Sequence, residues 1–253
     1  MDWFVLQLPD ASAMQLLAIA LAAFFASILG GLSGQGVGLI LPVFMAPVVG
    51  IANVIPVMSI SALITNLSRI AVFWREVNLA KARQMLLGAL PAAILGATAF
   101  TWMNARWVAI GLGGFLILSI PLRRLLARAD YRLGNPGLSA AGAGYGLVAG
   151  GMTGTGLLLL SVLMAAGVHG SALIATDATV STVINLTKLI VFGSSSLYDA
   201  KLVFAGILIG LCTTPGAFVA RWLMQRLSLK VHGAIMDAVV LAGGLALLWQ
   251  ALA

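Results

Sequence analysis

Along the chain, long apolar runs alternate with short polar or glycine-rich breaks. The runs fall at residues 12–49, 52–74, 79–102, 106–125, 137–167, 171–193, 201–222 and 231–252. Six of them are close to the ~20 residues that an α-helix needs to cross a hydrocarbon layer of ~30 Å. The first and fifth are too long, because a single helix over 12–49 would be a rod of about 57 Å at ~1.5 Å per residue. These two runs are predicted to fold back on themselves as helical hairpins.

The place to fold is marked by glycine. Gly30, Gly31, Gly34, Gly36 and Gly38 interrupt the first run, and Gly150, Gly151, Gly154 and Gly156 interrupt the fifth. At an offset of 120, GGLSGQG becomes GGMTGTG, so Ser33 stands opposite Thr153 and Gln35 opposite Thr155. At an offset of 119, NLSRIAVF (Asn66 to Phe73) becomes NLTKLIVF (Asn185 to Phe192). The chain is therefore a duplicated unit.

Composition fixes the solvent of this fold. Of 253 residues, 61% are apolar and 8% charged, with a mean hydropathy of +1.09. Soluble domains carry about a quarter charged residues, so the whole chain is read as an all-α polytopic membrane protein. The opening MDWFVLQLPD has two acids and no Lys or Arg, unlike the basic start of a cleaved signal peptide, and no processing is expected. The excess of 14 basic over 7 acidic residues gathers in the breaks between runs. That placement follows the positive-inside rule and not a nucleic-acid footprint. The single cysteine, Cys212, excludes an internal disulfide and a thiolate metal cluster.

Charge also chooses between two topologies. If each long run crossed once, the halves would be parallel, with eight loop cations on one side and four on the other. If each is a hairpin, the second half is inverted. Arg75, Lys81, Arg83, Arg123, Arg124, Arg128, Arg132, Arg221, Arg226 and Lys230 then share the inner side, against Arg106 and Lys201 outside. The inverted arrangement fits the rule for short loops better. The expected fold is thus two inverted repeats, each a helical hairpin with a glycine-rich break plus three transmembrane helices. Residues 1–125 form the first (hairpin 12–49; helices 52–74, 79–102, 106–125), 126–136 a basic cytoplasmic linker, and 137–253 the second (hairpin 137–167; helices 171–193, 201–222, 231–252).

The first break contains G-x-S-G, Gly31 to Gly34, which would suit an intramembrane serine protease if a histidine served Ser33 as base. The copy of Ser33 is Thr153 in the same glycine frame, and neither His169 nor His232 is duplicated with it. A duplicated nucleophile without a duplicated base argues against proteolysis. Duplicated breaks have another use. Irregular backbone at membrane depth must be buried in protein or line a wet cavity, and half-helix N-termini beginning near Gly34 and Gly154 would present bare N–H groups to an anion. Tight helix packing through Gly142, Gly146 and Gly150 is the competing explanation for such glycines.

The second repeated motif puts a cation three positions after an asparagine, Asn66 with Arg69 and Asn185 with Lys188, on one helix face. Asp177, Ser181, Asn185 and Lys188 fall within a narrow arc at 100° per residue. Ionisable groups at membrane depth are costly and default to function, although Arg69 and Lys188 are near enough to span ends to snorkel. Asp177 has no matching acid in the first half, where Val57 and Met58 stand. It is a candidate for proton coupling or a partner for a nearby base.

GGLSGQGVGLILPV and GGMTGTGLLLLSVL, each followed by NLSRIAVF or NLTKLIVF and then by a turn ending in Ala80-Lys81 or Ala200-Lys201, resemble the TauE/SafE sulfite exporter family over nearly the whole chain. Gln35 and Val37 interrupt a glycine run that is denser in many relatives. The resemblance implies transport of sulfite or small organosulfur anions such as sulfonates across the bacterial cytoplasmic membrane, as a multi-pass protein. The expected function is a secondary transporter working by alternating access, with an anion channel and a membrane scaffold as rivals. The expected substrate-binding residues are Ser33, Gly34, Gln35, Gly36, Asn66, Arg69, Thr153, Gly154, Thr155, Gly156, Asn185 and Lys188, with Asp177 for proton coupling. No catalytic residue, metal or cofactor is expected. The partners are a small organic or inorganic anion and the lipid bilayer, with a homodimer left open and no nucleic acid.

Overall fold

The computed structural model describes residues 37–128, 132–224 and 229–252, together with residues 17, 20, 21, 23–25 and 28. Among these the regular elements are helices. They are α1 (Val37–Val49), α2 (Ile51–Phe73) with a 3-10 turn after it (Trp74–Glu76), α3 (Leu79–Thr101), α4 (Ala105–Arg128) and α5 (Asn135–Gly151). Then follow α6 (Gly156–Ala165), α7 (Gly170–Ser194), α8 (Ala200–Met224) and α9 (Leu229–Leu252). The first break, with Gly30, Gly31, Ser33, Gly34, Gln35 and Gly36, lies outside the described residues, as does Arg226.

Short polar side chains start several of these helices by accepting a hydrogen bond from the first turn. Asn78 Oδ1 accepts from the Lys81 N–H at 3.1 Å and Asn104 Oδ1 from the Trp107 N–H at 3.1 Å. Asp199 Oδ1 accepts from the Leu202 N–H at 2.7 Å. Gly134 precedes α5, whose first turn holds Pro136 where no N–H is needed. The helix therefore begins at Asn135, and α4 runs on to Arg128.

Among the described residues, four segments are long and apolar enough to cross a membrane: Ile51–Glu76, Leu79–Thr101, Ala105–Leu122 and Gly170–Ser194. Their outer faces carry exposed Val72, Leu87, Leu95, Leu118 and Ile190, while Trp74, Trp102 and Trp107 are exposed at helix ends. Apolar outer faces with tryptophan at the rims suit a lipid solvent.

Helix directions follow from contacts that recur along each pair. Helices α3 and α5 are parallel and close. Added Cβ atoms on Gly142, Gly146 and Gly150 of α5 would strike the carbonyls of Met85, Ala89 and Ala93 of α3, while those on Gly88 and Gly96 would strike the carbonyls of Ser139 and Leu147. Gln84 Nε2 donates to the Ser139 hydroxyl across the same seam at 2.6 Å. Helices α2 and α8 are also parallel, with Gly206 against Ile60 and Gly210 against Ile64. Helices α2 and α7 are antiparallel. Beyond the end of α2 the Asn78 N–H donates to Thr176 Oγ1 near the start of α7, at 3.0 Å, and beyond α7 the Tyr198 hydroxyl donates to the Pro56 carbonyl near the start of α2, at 3.2 Å.

The fifth apolar run divides into α5 and α6. Just before α5, the Leu133 N–H donates to the carbonyl of Ala165, the last residue of α6, at 2.7 Å. The arms thus return to one end. The break between them is narrower than the glycines suggested. Gly150 and Gly151 stay helical because they are packing residues against Ala93 and Gly96 of α3, and only residues 152–155 leave the helix.

Two buried cores result among the described residues. One joins α1, α2, α4, α8 and α9 through Leu41, Met45, Val54, Leu112, Ile209 and Val240. The other joins α3, α5, α6 and α7 through Met85, Leu138, Tyr145, Leu159, Leu163 and Ile184. A smaller cluster with Ile55, Ala97, Phe100 and Phe192 lies between elements of both.

Candidate functional site

At the second break the backbone turns through Gly154, with φ +78°, a region that favours glycine. The start of α1 presses on this turn. A Cβ on Gly154 would lie 2.7 Å from the Gly38 carbonyl, and a Cβ on Gly38 would lie 2.9 Å from the Gly154 Cα. Glycine at both positions lets the two chains touch backbone to backbone. Ser33, Gly34, Gln35 and Gly36 immediately precede α1 in sequence and lie outside the described residues.

Helix α6 starts from this turn without a side-chain cap. Thr155 occupies the N-cap position, but its hydroxyl makes no capping hydrogen bond; it interacts with the Tyr145 hydroxyl, as does Ser181. The Thr155 carbonyl accepts from the N–H groups of Leu158 and Leu159. The N–H groups of Gly156 and Leu157 precede the first intrahelical acceptor and stand at the positive end of the helix dipole. The space around Gly156 is open, and Thr153 and Thr155 are buried.

Lys188 closes the opposite side of the break. Its side chain is buried, and Nζ donates to the Met152 carbonyl at 2.9 Å. That carbonyl caps the end of α5, where the dipole is negative and a cation is favoured. The ammonium therefore sits one residue from Thr153. Asn185, a turn earlier on α7, is half-buried and donates from Nδ2 to the Ser181 carbonyl of its own helix at 2.8 Å.

On α2, Asn66 is buried and Arg69 is partly exposed. Arg69 Nη1 is 3.7 Å from Asp177 Oδ2 on α7. Asp177 is 4% exposed, and its Oδ1 has no hydrogen-bond partner. Val57 and Met58, at the matching place in the first half, are buried and apolar. The region thus holds the basic side chains Arg69 and Lys188 and the acid Asp177, with Arg69 and Asp177 in contact.

The structure brings Thr153, Gly154, Thr155, Gly156 and Lys188 together at the break and joins Arg69 to Asp177 across α2 and α7. Sequence reasoning missed Tyr145 and the Met152 carbonyl. A hydroxyl-bearing aromatic inside the small-residue run AGAGYGLVAG was a usable signal for the first. A backbone acceptor has no residue signature, so the second had none. His169 faces its own main chain, with Nδ1 2.7 Å from the Val168 carbonyl. Chemically, the break offers N–H donors, hydroxyls and an ammonium, all suited to oxygens of a small anion.

A family model described as Sulfite exporter TauE/SafE matches residues 19–247 of the chain. No curated protein and no solved structure matches it.

Proposed function

Because the chain belongs to the sulfite exporter TauE/SafE family, a family of membrane transporters of sulfite-type anions, we propose that it is a secondary transporter of a small sulfur oxyanion or organosulfur anion. It works in the bacterial cytoplasmic membrane by alternating access between two inverted halves. The observation that carries this reading is the contact of Gly38 with Gly154. It sets the start of α1 against the second break, which carries the uncapped start of α6, two buried threonines and the Lys188–Met152 contact.

A pyramidal or tetrahedral oxyanion has several oxygens, each able to accept more than one hydrogen bond. Oriented donors without water serve such a group better than a single charge would. Gly156 and the N–H groups beside it, Thr153, Thr155 and the Lys188 ammonium supply one wall. Ser33, Gly34, Gln35 and Gly36, which immediately precede α1 in the sequence, are the proposed further ligands, with Asn66, Arg69 and Asn185.

Inversion is supported by the antiparallel run of α2 and α7, which carry the two copies of the repeated Asn–cation motif. Exchange of the halves also maps the parallel α2–α8 contact onto the packing of α7 with α3, and α1–α2 onto α6–α7. Purified protein should gain thermal stability from sulfite and methanesulfonate and less from acetate. Proteoliposomes should show saturable sulfite flux. Absence of both effects would overturn the transporter reading, and flux that never saturates would make the protein a channel.

A further inference from the structure

We propose that Asp177 is a proton-binding site, and that anion and proton are taken up together because Arg69 can pair with the Asp177 carboxylate or with the substrate but not with both. This rests on the transporter reading above and adds the coupling ion to it.

The geometry is that of a pair held loosely. Structural Arg–carboxylate bridges are frequently bidentate, with both oxygens engaged at hydrogen-bond distance. Here one guanidinium nitrogen lies 3.7 Å from Oδ2, and Oδ1 has no donor although the side chain is 94% buried, being 6% exposed. A buried carboxylate oxygen without a donor is strongly disfavoured, and a proton on Oδ1 removes that penalty. Arg69 is 39% exposed, so its head can move to another oxyanion without leaving a cavity behind.

Charged and titratable groups on the elements packed against α7 are Arg69 of α2, Arg75 and Glu76 of the 3-10 turn, Lys81 and Arg83 of α3, and Tyr145 of α5. Glu76 accepts from the Ser171 hydroxyl, and Lys81 Nζ donates to Asn135 Oδ1 at 3.3 Å. Tyr145 interacts with Ser181 and Thr155. On α7 itself Lys188 is held by the Met152 carbonyl. Arg69 is thus the cation in ion-pair contact with Asp177.

The charge balance is simple. In the resting pair Arg69 is positive and Asp177 is negative. One proton on Asp177 breaks the pair, and one monovalent anion takes its place on Arg69, so the net charge of the occluded site is unchanged. In a low-dielectric interior that conservation favours moving both together over moving either alone. Lower pH must therefore tighten anion binding, and the proton and the anion travel in one direction.

The test is calorimetry of sulfite binding to the full-length protein in detergent, in buffers of different ionisation enthalpy. Protons taken up per bound anion follow from the dependence of heat on buffer. Sulfite's own protonation is common to all variants and cancels in the difference. Wild type should take up about one proton more per sulfite than Asp177→Asn, and above the titration of Asp177 its affinity should fall about tenfold more per pH unit than the variant's. Asp177→Glu, which keeps the carboxyl group, should restore the extra proton. Equal proton uptake in wild type and Asp177→Asn, with sulfite still bound, overturns the proposal and leaves the transporter reading standing. Should Asp177→Asn fail to fold, Asp177→Glu carries the test: no extra proton relative to Arg69→Gln, which has lost the competition, overturns it equally. A sodium requirement abolished by Asp177→Asn would also overturn it, by assigning the carboxylate to another cation. No sulfite or methanesulfonate binding to wild type overturns the transporter reading instead.

Discussion

Lys188 joins main chain and site in one contact. Its bond to the Met152 carbonyl satisfies the end of α5, so Lys188→Met leaves a part-buried acceptor without its donor and should cost roughly 0.5–1.5 kcal/mol. Thermal unfolding of the purified protein measures this, and the stabilisation by sulfite should shrink in the same variant. Gly154→Ala places a methyl where φ is +78° and the Gly38 carbonyl is 2.7 Å away. Strain of this kind costs roughly 1–3 kcal/mol, and a variant as stable as wild type would show that the two segments do not touch as described. Tyr145→Phe removes the hydroxyl shared with Thr155 and Ser181, and should lower stability by roughly 0.5–1.5 kcal/mol on the same measurement.

At this scale the sequence was legible only where chemistry repeats. The arc of Asp177, Ser181 and Lys188 could be read from helical spacing. The partners could not, since Arg69 and Asp177 stand 108 positions apart and meet only once α2 and α7 cross. Lys188 reaches a carbonyl, which every residue owns.

Among elements, the α3–α5 seam makes the sharpest prediction. Gly146→Leu drives a side chain into the Ala89 carbonyl and should destabilise by about 1–3 kcal/mol or more. Gly144, two residues away on the outer face, has open space about its Cα, so Gly144→Leu should leave the unfolding temperature nearly unchanged. A similar loss in both would mean that helix propensity and not the seam sets the effect. Spans read from hydropathy were legible because a membrane helix must be apolar for its whole length: α3 occupies Leu79–Thr101 where 79–102 was expected. The break was placed less sharply, because a glycine that lets helices touch and a glycine that ends one look alike in sequence. Gly150 is of the first kind and Gly154 of the second.

For the molecule as a whole, inversion predicts which loops share a side of the membrane. With Cys212 replaced by serine, cysteines at Met103 and Ser195 should react with an impermeant reagent from outside the cell. Cysteines at Arg75 and Arg132 should react only after the membrane is opened. Labelling of Ser195→Cys together with Arg75→Cys would favour parallel halves and remove the shared anion site. The family relationship itself is readable in the sequence, because it rests on two glycine frames and two Asn–cation helices whose order survives along the chain.

The two cores do not respect the sequence halves: α3 packs with α5, α6 and α7, while α8 packs with α1 and α2. A gene cut between α4 and α5 would therefore yield fragments that each offer the bilayer a groove shaped for the missing piece, such as the face of α3 along Met85, Ala89 and Ala93. Neither fragment should persist when made by itself. Made together, they should assemble.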